Sequence, residues 1–397
     1  MEKCYKKLSK CNKKLRTCDL LMFAIEISTH DTRIERCKRH EGRTIAFIVL
    51  CAVICGCRTW DDICEYGKSK KTLMEEYLGP LESTPSADTI GRFFALIKPE
   101  SFEGVFRCWM AEIFRLRKSP KGERPDGEII AVDGKELRGA AAAERSPVRV
   151  VSAFAVDAGI SLGHETVGEK TNEIPAVRKL VSELDIKGCT VTADAMHCQK
   201  DTCKAIVEGG GDFLLFVKGN QKSLMGAVKD AVDTAMNNKR VCQDSRKNYT
   251  GKAGKNFCIR MCVVVGDMSL LGSVRKEWPW VKSCGAITLE KDTEEGIVKE
   301  TRYFIASFYM DAARALKTAR KHWGIENGLH WRLDVDFDED ASRKRKNAAT
   351  NFSLVSKMAM AVLRTDLKKE PLRRKMLRAS LNDEYLRQLL DNFKMNL

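Results

Sequence analysis

The longest apolar run in the chain is "TIAFIVLCAVICGC", from Thr44 to Cys57. A membrane span needs about 20 such residues, so the run predicts a buried core helix instead. Around it, from about residue 20 to residue 117, apolar positions recur at helical spacing. Ser86 or Asp88 can cap a helix starting near Thr89, with Phe93, Phe94, Leu96 and Ile97 following at helical intervals. The segment "RKSPKGERPDGE", Arg117 to Glu128, is rich in Pro, Gly and charge and reads as a linker.

Beyond the linker the period changes. "EIIAVDGKELRG" carries four apolar residues, Ile129 to Val132, and then Asp133-Gly134, which predicts a buried strand ended by an acid and a turn. "VRVVSAFAVD" and "ISLGHETV" predict a second and a third strand. "EIPAVRKLVSELD" is a helix with Pro175 in its first turn. "CTVTADAMH" is a fourth strand ending at Asp194, followed by a helix closed by glycines, a fifth strand in "DFLLFVKGN", and another helix. Residues 238–302 break this alternation and read as a β-rich insertion. A long helix then runs from about Asp311 through Trp331.

Three strands, a helix, a strand, a helix, a strand and then helices is the order of a ribonuclease H-like α/β fold: a mixed sheet flanked by helices. The expected organisation is an N-terminal helical domain over 1–118, a linker over 119–128, and a ribonuclease H-like domain over 129–365 containing the insertion. A basic helical tail over 366–397 completes it.

That order places the first and fourth strands side by side, so Asp133 and Asp194 can become neighbours despite their separation in sequence. Paired carboxylates are hard oxygen donors suited to Mg²⁺ or Mn²⁺. Two such ions can hold the attacking and leaving oxygens of a phosphoryl displacement. The third acid is sought in "RKHWGIENGLHW", Arg320 to Trp331. There Glu326 shares a helical face with Trp323 and His330, while Ile325 and Leu329 can anchor the helix on the sheet. Gly324 and Gly328 each cost about 1 kcal/mol against alanine in a helix, so something must approach the backbone there: a strand or a DNA phosphate. The acidic run "DVDFDEDASRKRK" offers competing carboxylates in Asp334, Asp336, Asp338, Glu339 and Asp340.

Charge narrows the partner. The 397 residues carry a formal net charge of +15, with 44% hydrophobic and 31% charged residues. Arg343 to Arg378 holds twelve Lys or Arg against two acids, and Met1 to Arg43 holds twelve against six. Basic character gathered this locally fits a polyanion, nucleic acid being the commonest. The sixteen cysteines include no Cys-x-x-Cys pair and read mainly as small buried thiols. The start, "MEKCYKKLSKCNKKLR", lacks an adjoining apolar stretch and is not read as a signal sequence, so a reducing cytoplasm is the expected compartment.

The segments "AVDGKELRGA", "EKTNEI", "VTADAMHCQKDTCKAI", "FVKGNQ", "HWGIENGLHWRLDVDFDEDASRKRKNAATNFSLV" and "DTIGRFFALIKPESFE" resemble the ISAs-type bacterial insertion-sequence transposases, which include the H-repeat-associated proteins of Rhs elements. The resemblance runs from about residue 25 to the end. It implies a DDE transposase with Asp133, Asp194 and Glu326 as the metal-binding triad, Mg²⁺ or Mn²⁺ as cofactor, and double-stranded DNA, both element ends and target, as partner. It further implies hydrolysis at an element end, attack of the freed 3′-hydroxyl on target DNA, and a homodimer that brings two ends together. The expected location is the cytoplasm of a prokaryote, at the nucleoid when DNA is bound, with no membrane partner. His197 and Asn327, next to triad positions, are candidates to orient a carboxylate or touch phosphate. His322 and Trp323 are candidates for the DNA end, Trp323 by stacking on an unpaired base. Lys135, Arg138, Lys170, Lys218 and Asn220 fall near predicted strand ends as candidate phosphate contacts, and Arg343, Lys344 and Arg345 are candidate backbone contacts. Where relatives tend to show a His-Gly-Arg type motif, this chain has "GKAGKNFCIRMCVVV". A DNA-binding protein without chemistry, or a nuclease that cuts without joining, are the alternatives. An intact acid triad argues against the first.

Overall fold

The computed structural model describes residues 18–117, 127–139, 148–168, 172–237, 244–249, 258–293, 296–345 and 347–393. Lys170, most of the expected linker and most of the segment around "GKAGK" lie outside these residues.

Among the described residues six α-helices build the N-terminal part: α1 (Asp19–Ser28), α2 (Gly42–Ile54), α3 (Trp60–Ser69), α4 (Lys71–Leu78), α5 (Ala87–Leu96) and α6 (Pro99–Arg117). The apolar run forms α2, buried from Thr44 through Ile54. Thr59 and Asp62 close a reciprocal capping box on α3, so Asp62 has a structural task. Ser86 caps α5 by accepting from the Thr89 amide, as expected. Leu96 departs from the expectation: it is exposed, and Ile97 takes the buried position.

Among the described residues the sheet has nine strands: β1 (Ile129–Leu137), β2 (Val148–Ala155), β3 (Ile160–Val167), β4 (Thr190–Ala193), β5 (Asp212–Val217), β6 (Asp244–Tyr249), β7 (Cys258–Val265), β8 (Ser283–Thr293) and β9 (Gly296–Ala306). Their order is β3-β2-β1-β4-β5-β9-β8-β7-β6. β1, β2 and β3 pair antiparallel, while β1–β4 and β4–β5 are parallel. That is the ribonuclease H-like arrangement. α7 (Glu173–Glu183) and α8 (Lys200–Glu208) supply the crossovers, and α9 (Lys222–Asn237) leads into the insertion. The insertion does not form a separate body, because β9 pairs antiparallel with β5 and extends the same sheet.

Two expectations change. β1 does not stop at Asp133-Gly134. It continues to Leu137 because Asp133 through Leu137 pair with Ser152 through Val148 on β2, and cross-strand pairing outweighs a local turn signal. The long helix after Asp311 is broken: α10 (Ala312–His322) gives way to a π-helical turn, Glu326–His330, before α11 (Trp331–Phe337).

α12 (Asn347–Leu363) ties the two parts together. It is buried from Ala348 through Leu363 and packs on α2, α5 and α6 as well as on β3. Asn351 donates to the carbonyls of Phe94 and Ile97, satisfying the C-terminal end of α5. One hydrophobic core therefore runs from Cys18 to Phe393, and α13 (Leu372–Leu381) with α14 (Asp383–Asn392) completes the C-terminal end.

Candidate active site

The parallel pairing of β1 and β4 aligns Val132 with Ala193. The next residue on each is an acid, Asp133 and Asp194, so the two carboxylates lie at the same level of the sheet. Their environments differ. Burial, then the negative charge of Asp194, lifts the Asp133 carboxyl to about 6; the charge of Glu326 adds to the lift. Asp194 is held below its ordinary value, chiefly by a hydrogen bond from His322. The His322 ring is 4% exposed and bridges two residues of one strand end. Its Nε2 lies 3.3 Å from Asp194 Oδ1 and its Nδ1 3.3 Å from Thr192 Oγ1.

Glu326 is exposed and opens the π-turn. Such turns are rare and occur often at functional sites. The extra residue in the turn alters the expected face. His330 points to Asp133, Nδ1 to Oδ2 at 3.5 Å, while Trp323 points the other way, toward the insertion. Ile325 and Leu329 are fully buried, as expected of anchors. The two glycines are explained by strand β2 and the residue after it. A Cβ on Gly324 would stand 2.6 Å from Val156 Cγ1, and one on Gly328 would stand 2.8 Å from the Phe154 ring. The sheet, then, is what comes close.

Two residues were given no role from sequence. Glu173, within the "EKTNEI" segment, opens α7 with its carboxylate against Gly134, where any Cβ would overlap it. Its Oε2 lies 3.7 Å from His197 Nε2, and burial raises its carboxyl above the ordinary range, with Asp194 adding to the effect. His330 is the other. Burial pushes its imidazole down to about 4, helped by the charges of Lys357 and Lys135. It therefore faces Asp133 as a neutral ring. Glu173 sat inside a segment marked by other residues, with no spacing signal of its own; His330 was marked only by sharing the helical face of Glu326.

The remaining candidates fall into three groups. Lys218 lies close enough for its charge to help depress Asp194; Arg138, Asn327, Arg343 and Arg345 are exposed. His197 is buried and its ring is neutral, pushed down to about 4 by burial. Asn220 donates to the Ala195 carbonyl at 2.9 Å and so braces the loop after Asp194. Two lysines are corrections. Lys135 is enclosed by Glu339 (2.9 Å), Asp340 (3.8 Å) and Asp334. Lys344 is 8% exposed; it donates to the Arg58 carbonyl and lies 3.6 Å from the centroid of Phe352 and 4.7 Å from that of Trp60. A buried ammonium with aromatic faces around it is no surface contact. The acidic run is likewise committed: besides the three acids on Lys135, Asp338 pairs with Arg58, and Asp336 with Arg332 at 3.3 Å.

Trp323 and Phe216 border a cavity of about 200 Å³ between α10 and strands β7 to β9. Arg260, Arg302 and Arg320 also line it, and the Arg302 guanidinium sits 5.0 Å from the Trp323 ring centroid.

Among the described residues no three His, Cys, Asp or Glu side chains form a ready-made metal cage. The donor set at Asp133, Asp194 and Glu326 nonetheless fits Mg²⁺ or Mn²⁺. These ions take one or two carboxylates plus waters and substrate phosphates rather than a closed protein shell. Burial, then the charges of Asp194 and Glu326, disfavours the ionised Asp133 carboxylate, and a divalent cation would offset this. No described helix is long and apolar enough to cross a membrane.

Comparisons with known proteins identify the family. Residues 27–110 match the family described as "DDE_Tnp_1-associated", and residues 124–363 match "Transposase DDE domain". "Putative transposase YncI" of Escherichia coli O157:H7 is 35% identical over 372 residues, covering 91% of this chain and 92% of that one. "H repeat-associated putative transposase YhhI" of Escherichia coli strain K12 is 33% identical over 361 residues, covering 88% and 92%. Among solved structures, a piggyBac transposase synaptic complex with hairpin DNA aligns over 97% of this chain and 81% of its own, at 12% identity and a TM-score of 0.40. With a family match over more than half its length and relatives aligned almost end to end, the chain belongs to the transposase DDE-domain family, among the H-repeat-associated bacterial insertion-sequence proteins.

Proposed function

We propose that this protein cleaves DNA at the ends of its insertion element and transfers the freed 3′-hydroxyl to target DNA, with Asp133, Asp194 and Glu326 as the reacting carboxylates. The observation that carries the reading is the register of β1 and β4, which brings Asp133 and Asp194 level, together with the effect of the Glu326 charge on Asp133. Mg²⁺ or Mn²⁺, when bound by these three acids, supplies the positive charge that stabilises the transferring phosphoryl group. His322 orients Asp194 from the Thr192 side, and neutral His330 faces Asp133 without adding a charge. Water is the first nucleophile and the DNA hydroxyl the second, so no covalent protein nucleophile is required.

DNA contacts are assigned by exposure. Arg138, Lys218, Asn327, Arg343 and Arg345 are the proposed backbone contacts, and buried His197 is proposed to act from behind, on Glu173. The cavity beside Trp323, with its aromatic floor and three arginines, suits an unpaired base at the DNA end. Two copies of the chain bring two element ends together.

The test is a Mg²⁺- or Mn²⁺-dependent cleavage and strand-transfer assay on the element's own ends, wild type beside Glu326→Gln. Joined products from the wild type alone are expected. Cleavage without joining supports the nuclease reading instead. Equal activity in both proteins removes Glu326 from the site.

A further inference from the structure

Asp133 belongs to a polar row that crosses three strands. On β1 and β2 it is paired with Ser152, and on β2 and β3 Ser152 is paired with His164. Paired residues share a face, so all three side chains leave the sheet on the side covered by α12. Ser152 and His164 are at most 1% exposed. From α12, Lys357, also 1% exposed, reaches this row: its ammonium donates to Ser152 Oγ at 3.2 Å and to His164 Nδ1 at 2.7 Å. Accepting at Nδ1 leaves the His164 proton on Nε2, which lies 3.3 Å from Glu103 Oε1. Glu103 stands on α6, in the N-terminal helices, and accepts a hydrogen bond from Thr166 at 2.8 Å. On the same reaction centre, His330 Nδ1 lies 3.5 Å from Asp133 Oδ2.

A fully buried lysine is a poor way to stabilise a fold, because a well-packed apolar residue of similar volume avoids the desolvation penalty. What the charge adds is directionality. It aligns one hydroxyl and one imidazole, and both are laterally linked to Asp133.

We propose that Lys357 is a positioning residue for the reaction centre: it holds the Asp133–Ser152–His164 row in register and, through His164 and Glu103, sets the N-terminal helices against the edge of the sheet that carries Asp133. The inference rests on the reading of Asp133 as a reacting carboxylate.

The experiment uses full-length wild type, Lys357→Met and Ser152→Ala. Each is measured for melting temperature, for Mn²⁺ affinity by calorimetry without DNA, and for end cleavage with kcat separated from KM. Loss of a partner that orients a ligand typically costs about 10- to 100-fold in metal affinity or activity. The expected result for Lys357→Met is a melting temperature no lower than wild type, Mn²⁺ binding about 10-fold weaker, and kcat lower by at least about 10-fold at unchanged KM. Ser152→Ala should move Mn²⁺ affinity and kcat the same way by about 3-fold, a smaller loss because Lys357 keeps His164. Should Lys357→Met fail to fold, Ser152→Ala decides alone. Wild-type Mn²⁺ affinity in the folded variants overturns the proposal, as does a kcat loss that merely follows the folded fraction. If the wild type binds Mn²⁺ but cuts no DNA, the transposition chemistry fails while the calorimetry still judges the positioning role. If the wild type binds no Mn²⁺, both fall.

Discussion

Replacing Gly324 by alanine tests the claim that the sheet requires a bare backbone beside Glu326. In a free helix this change is favourable by about 1 kcal/mol. Here the added methyl would stand 2.6 Å from Val156 Cγ1, whereas carbon atoms rest at roughly 3.5–4.0 Å. About 1 Å of space must open between α10 and the end of β2. Overpacking of this kind costs about 1–3 kcal/mol. Set against the helical gain, the net loss is between zero and about 2 kcal/mol, or a few degrees in melting temperature for a chain this long. Activity should suffer more. Gly324 lies two residues before Glu326, and a displacement of about 1 Å at a reacting group can cost roughly 100-fold in rate. Thermal unfolding and metal-dependent end cleavage are measured side by side. A variant that melts higher than wild type and cuts at the wild-type rate would refute the close-approach argument.

Three further outcomes are expected. Folding lowers the His164 imidazole from 6.5 to about 4. The unfolded chain then takes up the proton first, and stability present above pH 6.5 is lost as pH falls toward 4. By pH 5 the loss from this group is about 2 kcal/mol, so denaturant titrations from pH 8 to pH 5 should show a smaller loss for His164→Gln than for wild type. Replacing Arg343 and Arg345 by glutamine should flatten the salt dependence of DNA binding by about one to two units of slope in a log–log plot. Lys344→Met should leave that slope unchanged, because its ammonium is enclosed by Trp60 and Phe352. Brief alkylation of the folded protein should modify exposed Cys108 well before Cys51 and Cys55. These two are buried, and burial raises both thiols, Cys55 to about 12. Peptide mass spectrometry reads the order, and labelling of Cys51 at the rate of Cys108 would contradict the buried α2.

Much of the strand and helix order was readable because alternation and helical spacing are local signals. Asp133 and Asp194 could be paired from that order alone, since parallel β1 and β4 are neighbours in this topology. What escaped was decided at long range. Asp133-Gly134 looks like a turn until β2 supplies partners for both and for the three residues that follow. The π-turn at Glu326 answers the approach of Phe154 and Val156, which no window around Glu326 contains. Lys135 reads as a phosphate contact because its three acids lie some two hundred positions downstream. Lys357 had a faint signal, a lone cation within the apolar "NFSLVSKMAMAVL", but neither Ser152 nor His164 could be guessed as its partners.

The burial of α12 against both α2 and β3 also sets a timetable for synthesis. The ribosome finishes the N-terminal helices long before it reaches Asn347, at roughly 5–20 residues per second. During that interval the apolar surfaces of α2, α5 and α6 wait for a partner still unmade. A nascent chain in this condition invites chaperones and is open to aggregation. A chain cut short before α12 would leave both α2 and β3 without the helix that joins their cores.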